Sequence, residues 1–304
     1  VQDYAILCPG QGSQSSDMFE MVAADPRGRD VLEQASDTLA YDLVTKTRSG
    51  GGLFDNAFAQ PAMVALGRAT WALLEPQVPT PALFAGYSVG EVSAWGCAGA
   101  WDVRRSVAVA VARARFMDAH SPPGYGMLAA RGLPVDQLLA HGAGLHLAIV
   151  NDIDHAVLAG ADAALVAAEA ELASHGAWTR RLEVHVPSHT PVLQTAASEF
   201  GAYLAATPIE PVSAPVLRGI DGRRMPRSSD APQALQRAVC EPVRWSDCMR
   251  EIVESGVRVV LDLGPGRALA NLCSQAHPQL TARSVVDFRS AGGAVDWLHR
   301  QLEA

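Results

Sequence analysis

The sequence predicts an α/β protein, a large domain with a parallel sheet core interrupted by a small inserted α+β domain. Three observations carry this. Of 304 residues, 49% are apolar and 18% charged, an ordinary globular composition with core material for one or two domains. Short apolar runs alternate with segments of helical rhythm through most of the chain. Between Ser121-Pro122-Pro123-Gly124 and Pro187 the texture changes to a different order of elements.

Tyr4 to Cys8 is a buried strand running into a turn, PGQGSQ. A helix covers Asp30 to Ala40, and Gly50 to Gly52 mark a loop. Ala62 to Leu74 has a helical rhythm and stops before Pro76. Leu83 to Tyr87 is a strand, Val89 to Ala98 a helix, and Asp102 caps a long helix ending near His120. Strand 127–130, helix 135–141, strands 145–150 and 156–160, helix 163–176 and strand 179–186 then follow. That order, β-α-β-β-α-β, is the ferredoxin-like split unit. The domains are therefore expected at 1–123 with 188–304, and at 124–187. Helices are expected over 191–206, 232–239 and 247–255, and a strand over Val257 to Leu263, closed by Gly264-Pro265-Gly266.

Charge and cysteine use narrow the function. A net charge of −8 argues against a nucleic-acid binder and a polybasic membrane-surface protein. No apolar stretch is long enough for a transmembrane helix, and no signal peptide is evident at the start. The five cysteines are odd in number and lack C-x-x-C spacing, so neither a disulfide framework nor a zinc site is expected, and the cytoplasm is the default location.

Residues 86–90, Gly86-Tyr87-Ser88-Val89-Gly90, form G-x-S-x-G between a predicted strand and a predicted helix. Glycines relieve crowding in so sharp a turn, and the helix N-terminus offers free N–H groups to an oxyanion. The pentapeptide alone also fits a serine that merely caps the helix. A serine nucleophile needs a base. Of the nine histidines, His189 stands apart: it lies in VPSHTP, between two prolines that fix the backbone. It equally fits a cap for the helix after Pro191, and spacing alone leaves both open. Arg113 lies on a helix line with Val109 and Phe116, an unusual place for a solvent-facing arginine, and its fork suits a carboxylate.

With these residues in view, the chain resembles the malonyl-CoA:acyl-carrier-protein transacylases of fatty-acid and polyketide synthesis. The resemblance is carried by PGQGSQ (9–14), GYSVGE (86–91), ARARFM (112–117), VPSH (186–189), EPVRW (241–245) and LGPG (263–266). It implies an α/β-hydrolase-like large domain. It further implies Ser88 as nucleophile, His189 as base oriented by the backbone carbonyl near Ala238, and an oxyanion hole from Gln11 and the Val89 N–H. Arg113 would pair with the malonyl carboxylate. The family usually has histidine where this chain has Tyr87, which puts acyl selectivity in question, since tyrosine brings no positive charge. GYSVGE looks similar to the transacylase subunit of malonate decarboxylase, the expected member; a fatty-acid-synthesis transacylase is the alternative, and a serine thioesterase or a non-catalytic docking protein are the rivals of other class. The implied partners are malonyl-CoA, an acyl carrier protein with a phosphopantetheine-type thiol, and other malonate decarboxylase subunits; no metal or cofactor is implied. Arg180, Arg181, Arg223, Arg224 and Arg227 are weighed as a carrier-docking patch and read instead as solvated loop residues.

Overall fold

The structure, a computed structural model, describes residues 3–303; Val1 and Gln2, read above with the N-terminal segment, and Ala304, read with the large domain, lie outside them. β1 (Tyr4–Cys8) is the expected strand. It reads as a continuous apolar run because both faces are covered: Tyr4, Ile6 and Cys8 enter one core, Ala5 and Leu7 another. Four helices follow: α1 (Glu20–Ala23), α2 (Pro26–Leu39), α3 (Leu43–Arg48) and α4 (Asn56–Leu74). α2 begins at Pro26 rather than Asp30, because the Asp25 carboxylate accepts the Arg27 N–H at 2.9 Å and Pro26 needs no donor at the first helical position. α4 begins at Asn56 and runs through Pro61, whereas the expected helix starts only at Ala62. A proline removes one helix hydrogen bond, but this helix is buried nearly all round and packing holds it.

β2 (Leu83–Gly86), α5 (Gly90–Cys97) and α6 (Val103–His120) come next, and the Asp102 carboxylate caps α6 by accepting the Arg105 N–H at 2.7 Å. The next six elements keep the expected order: β3 (Tyr125–Arg131), α7 (Val135–His141), β4 (His146–Asp152), β5 (His155–Ala161), α8 (Asp162–Ser174) and β6 (Trp178–Arg181). β6 ends at Arg181, not Val186. Val184 and Val186 are apolar because they fill the two cores beside the large sheet, which mimics strand alternation. The chain closes with α9 (Gln194–Ala205), β7 (Val216–Leu217), β8 (Arg224–Met225), α10 (Ala231–Cys240), β9 (Val243–Arg244), α11 (Trp245–Glu254), β10 (Val259–Asp262), α12 (Ala268–Ala276), β11 (Thr281–Ser284) and α13 (Ala291–Glu303).

The large sheet has the order β11-β10-β1-β2-β7-β8, parallel except for the antiparallel edge strand β8. The small sheet has the order β6-β3-β5-β4-β9. Its first four strands are antiparallel, and β9 joins β4 in parallel through Ile149↔Val243 and Val150↔Arg244. One core lies under α2, α4, α5, α6, α9, α10 and α13. A second is shared between the large sheet's other face and the small sheet, and a third sits beneath α7 and α8. The loops after β1 and β2, neighbouring parallel strands, therefore emerge side by side at the sheet's C-terminal edge, where open α/β sheets build their sites. No helix among the described residues is long and apolar enough to cross a membrane.

Candidate active site

Ser88 follows the end of β2 with φ 56°, a left-handed conformation that a non-glycine residue adopts only when its surroundings impose it. What imposes it is close packing. A Cβ on Gly86 would lie 2.2 Å from the Glu91 nitrogen, and one on Gly90 2.0 Å from the Cys8 carbonyl oxygen. The 9–12 loop presses on the same turn, with Gly10 against the Tyr87 carbonyl. Val89, at the N-terminus of α5, has an N–H with no acceptor among the described residues. The Gln11 N–H likewise has no acceptor among the described residues, its side-chain Oε1, itself an acceptor, is buried without a partner, and Gln11 lines a cavity of about 490 Å³ with Phe54, Asn56, Asp118, Tyr125 and Val186.

His189 arrives from a segment 101 residues away, and its Nε2 lies 2.8 Å from Ser88 Oγ. Its backbone is also left-handed, at φ 64°. The last turn of α10 fixes it twice: the His189 N–H donates to the Val239 carbonyl at 2.9 Å, and Nδ1 donates to the Ala238 carbonyl at 2.5 Å. Both are carbonyls that a helix end leaves unpaired. A carbonyl only accepts, so the proton resides on Nδ1 and Nε2 keeps its lone pair toward the serine hydroxyl. Burial, then the Arg113 charge, push the His189 pKa down to about 3, with the Ala238 carbonyl pulling the other way. The imidazole thus stays neutral well below the usual histidine range, and lowering the pH from 7.5 through 6.5 is expected to leave the base competent. Glu91 behaves oppositely: burial pushes its carboxyl up to about 7, against the Gly219 N–H that it accepts at 3.2 Å and the charges of Arg113 and Arg218. An acid limb near pH 7 in the rate profile would therefore belong to Glu91 and disappear in Glu91→Gln; one that persists there in that variant would contradict the assignment of a low-pKa base.

Arg113 is 2% exposed on α6. Its Nη1 donates to Gln60 Oε1 at 2.7 Å, while Nη2 is buried with no partner among the described residues. Gln60 is held in turn, its Nε2 donating to Asn56 Oδ1 at 2.6 Å. Burial lowers the guanidinium pKa to about 10, with Glu91 opposing, so the cation persists at neutral pH. A fixed, buried, half-paired guanidinium is a receptor for a carboxylate. Arg115, by contrast, lies over the Phe116 ring, 4.7 Å from its centroid.

Tyr87 turns from the serine toward the small sheet: its hydroxyl donates to Asn151 Oδ1 at 3.0 Å, and its ring stands edge-on to Trp245 with centroids 5.3 Å apart. Burial raises its pKa, so it remains a neutral donor. Sequence reasoning missed Gln60, Asn151 and Glu91. For Gln60 there is a signal, a lone amide in the apolar stretch Phe58 to Leu66, but Pro61 places it outside the expected helix. Removing the amide in Gln60→Ala frees the guanidinium; the expected result is a rise of roughly tenfold or more in KM for an acid-bearing acyl donor, from losing one charge-assisted hydrogen bond's worth of positioning. An unchanged KM in steady-state assays would remove Gln60 from the site. Of the weighed arginines, Arg181 lies on β6 and Arg224 on β8 rather than in loops, and three are engaged by acids, Arg181 with Asp162, Arg224 with Glu251 at 2.9 Å and Arg227 with Asp230 at 3.4 Å, so they form no free basic patch.

The arrangement can take a proton from a hydroxyl, receive an oxyanion at α5 and anchor a carboxylate nearby. Comparison with known proteins agrees with such a site. The acyl transferase domain family model matches residues 6–293. The malonyl CoA-acyl carrier protein transacylase of Haemophilus influenzae is 30% identical over 311 residues, covering 98% of this chain and all of that protein. The Escherichia coli K12 protein of the same name is 30% identical over 305 residues, covering 96% and 99%. Among solved structures, the malonyl CoA-acyl carrier protein transacylase of Coxiella burnetii superposes with a TM-score of 0.91 at 29% identity, covering 98% of each chain. A malonyl-transacylase solved in complex with its type II polyketide acyl-carrier protein has a TM-score of 0.91 at 30% identity, covering 97% of this chain and 99% of that one. The chain belongs to the acyl transferase domain family; it is an acyltransferase.

Proposed function

We propose that the protein moves a malonyl group from malonyl-CoA, through an ester on Ser88, to the phosphopantetheine-type thiol of an acyl carrier protein. The observation that carries this is the 2.8 Å Ser88–His189 contact together with the buried Arg113, one of whose nitrogens has no partner among the described residues. In the first half-reaction His189 Nε2 takes the Ser88 proton as Oγ bonds to the thioester carbon. The carbonyl oxygen gains charge against the backbone N–H groups of Val89 and Gln11, the C–S bond breaks, and His189 returns the proton to the CoA sulfur. The carrier thiol then repeats the sequence in reverse roles: it gives its proton to His189, attacks the ester, and Ser88 leaves with the proton. As the imidazolium forms, the Ala238 carbonyl at the negative end of α10 stabilises it without a carboxylate.

Tyr87 inclined the sequence reading to the malonate decarboxylase subunit. The relatives instead bear the name malonyl CoA-acyl carrier protein transacylase, and one solved neighbour is paired with a polyketide carrier. We therefore put a fatty-acid- or polyketide-type carrier first and the malonate decarboxylase carrier second. The deciding measurement is the malonyl transfer rate to the two carrier types side by side; faster transfer to the decarboxylase carrier would reverse the order, and free malonate released at full rate without any carrier would favour a hydrolase. In the same reading, residues 124–187 are a ferredoxin-like insert in a hydrolase-like large domain, supported by the β6-β3-β5-β4 strand order and the parallel large sheet. The cytoplasm suits five cysteines that are all free.

A further inference from the structure

We infer that His141, Glu171 and His175 form a binding site for a divalent transition-metal ion of the Zn²⁺ type, remote from Ser88 and independent of the proposed transfer. His141 Nδ1 lies 3.4 Å and His175 Nδ1 3.6 Å from the same oxygen, Glu171 Oε1. All three candidate ligand atoms fall within 4.8 Å of one another. A tetrahedral ion with bonds of about 2.0–2.2 Å sets its donors about 3.3–3.6 Å apart, so the two measured edges already match. The imidazoles stack with centroids 3.8 Å apart and planes at 28°, and both Nδ1 atoms face the same Glu171 oxygen.

The backbone favours a cation at the same place. His141 is the last residue of α7, Glu171 lies in the last turn of α8, and His175 follows that helix directly. Two helix C-termini, each the negative end of its dipole, therefore meet at the cluster. Two nitrogens and one carboxylate suit Zn²⁺ or its late first-row neighbours and not Mg²⁺ or Ca²⁺, which prefer all-oxygen shells. The side chains keep 29%, 53% and 42% of their surface, open enough for an ion and a water in the fourth position. In the metal-free protein His175 Nδ1 lies 3.0 Å from the Glu171 carbonyl; binding gives the Nδ1 lone pair to the ion and leaves the ring proton on Nε2. The cysteine spacing argues against any zinc site, and this cluster goes unseen in the sequence because its ligands come from two helices that meet only in the fold. The bound ion would tie α7 to α8, the two helices covering the third core.

The test is a Zn²⁺ titration of the full chain against a chromophoric chelator, paired with thermal melting. The expected result is one equivalent bound and a Zn²⁺-dependent rise in melting temperature that excess Mg²⁺ does not reproduce. His141→Gln and His175→Gln, both at solvent-open positions, should each weaken binding by about tenfold or more and lose the thermal shift. His146→Gln, an exposed histidine outside the cluster, should behave as wild type. Equal affinity in wild type and both cluster variants, equal loss in His146→Gln, or no saturable binding would overturn the site. None of these outcomes depends on malonyl transfer, so failure here leaves the acyltransferase reading untouched, and the reverse.

Discussion

Ser88→Ala is expected to abolish the acyl-enzyme and lower transfer by roughly 10⁴–10⁶-fold, the range seen when a member of a hydroxyl–imidazole pair is deleted. Mass spectrometry after incubation with malonyl-CoA should show one malonyl adduct on wild type and none on the variant. His189→Ala should fall to a similar level, because the two act as a unit through a single 2.8 Å contact, and the double variant should be little worse than either. The fold should survive the serine change. Ser88 occupies a left-handed turn that the glycines and the 9–12 loop impose, not one that its hydroxyl creates. Alanine fits the same space, and shedding the hydroxyl leaves His189 anchored by Ala238 and Val239. An adduct of undiminished yield on Ser88→Ala would remove the serine from the mechanism.

The difference between what is legible in the sequence and what is not follows from how far each constraint reaches along the chain. The serine turn is legible because its steric demands fall within five residues: Gly86 and Gly90 are required by contacts with Glu91 and Cys8 that any observer of G-x-S-x-G between a strand and a helix would anticipate in kind. α6 is legible from one cap, Asp102, and Arg113 from its apolar line. His189 is not, from residues alone, because its partners are backbone carbonyls of α10 that no side-chain pattern encodes; the choice between base and helix cap rests on the family resemblance. Gln60 is hidden by Pro61, since the usual inference that proline starts a helix fails where burial sustains the helix across it. β9 is hidden because two residues carry no periodicity, yet it brings Trp245 against Tyr87 and adds a fifth strand to the small sheet from outside residues 124–187. Tyr87 itself is legible as a departure from the family, but its consequence is not: only the fold shows that the hydroxyl is committed to Asn151.

Under the proposed function, that commitment would leave Arg113 as the principal polar anchor for an acyl carboxylate, and it sets the second large expectation. Arg113→Met should reduce malonyl transfer while sparing acetyl transfer, shifting the malonyl-to-acetyl ratio of kcat/KM by roughly ten- to hundredfold, as expected for about 1.5–3 kcal/mol from a charge-assisted contact. The same change should not weaken the fold. The guanidinium is buried with one nitrogen on Gln60 and the other unpaired, a costly arrangement in the free enzyme, and a methionine of similar length fills the space without a charge to desolvate. The melting temperature of Arg113→Met should therefore equal or exceed that of wild type, even though Gln60 Oε1 loses its donor. Reduced malonyl selectivity with retained or greater stability is the signature of a charge kept for its ligand. Lost stability with unchanged selectivity would make Arg113 a structural residue instead, and would leave the carboxylate of the substrate without a receptor on this chain. A Tyr87→His variant sharpens the comparison: an imidazole is too short to reach Asn151 as the tyrosine hydroxyl does, so it is free to face the acyl group, and the ratio lost in Arg113→Met should be partly restored in the double variant.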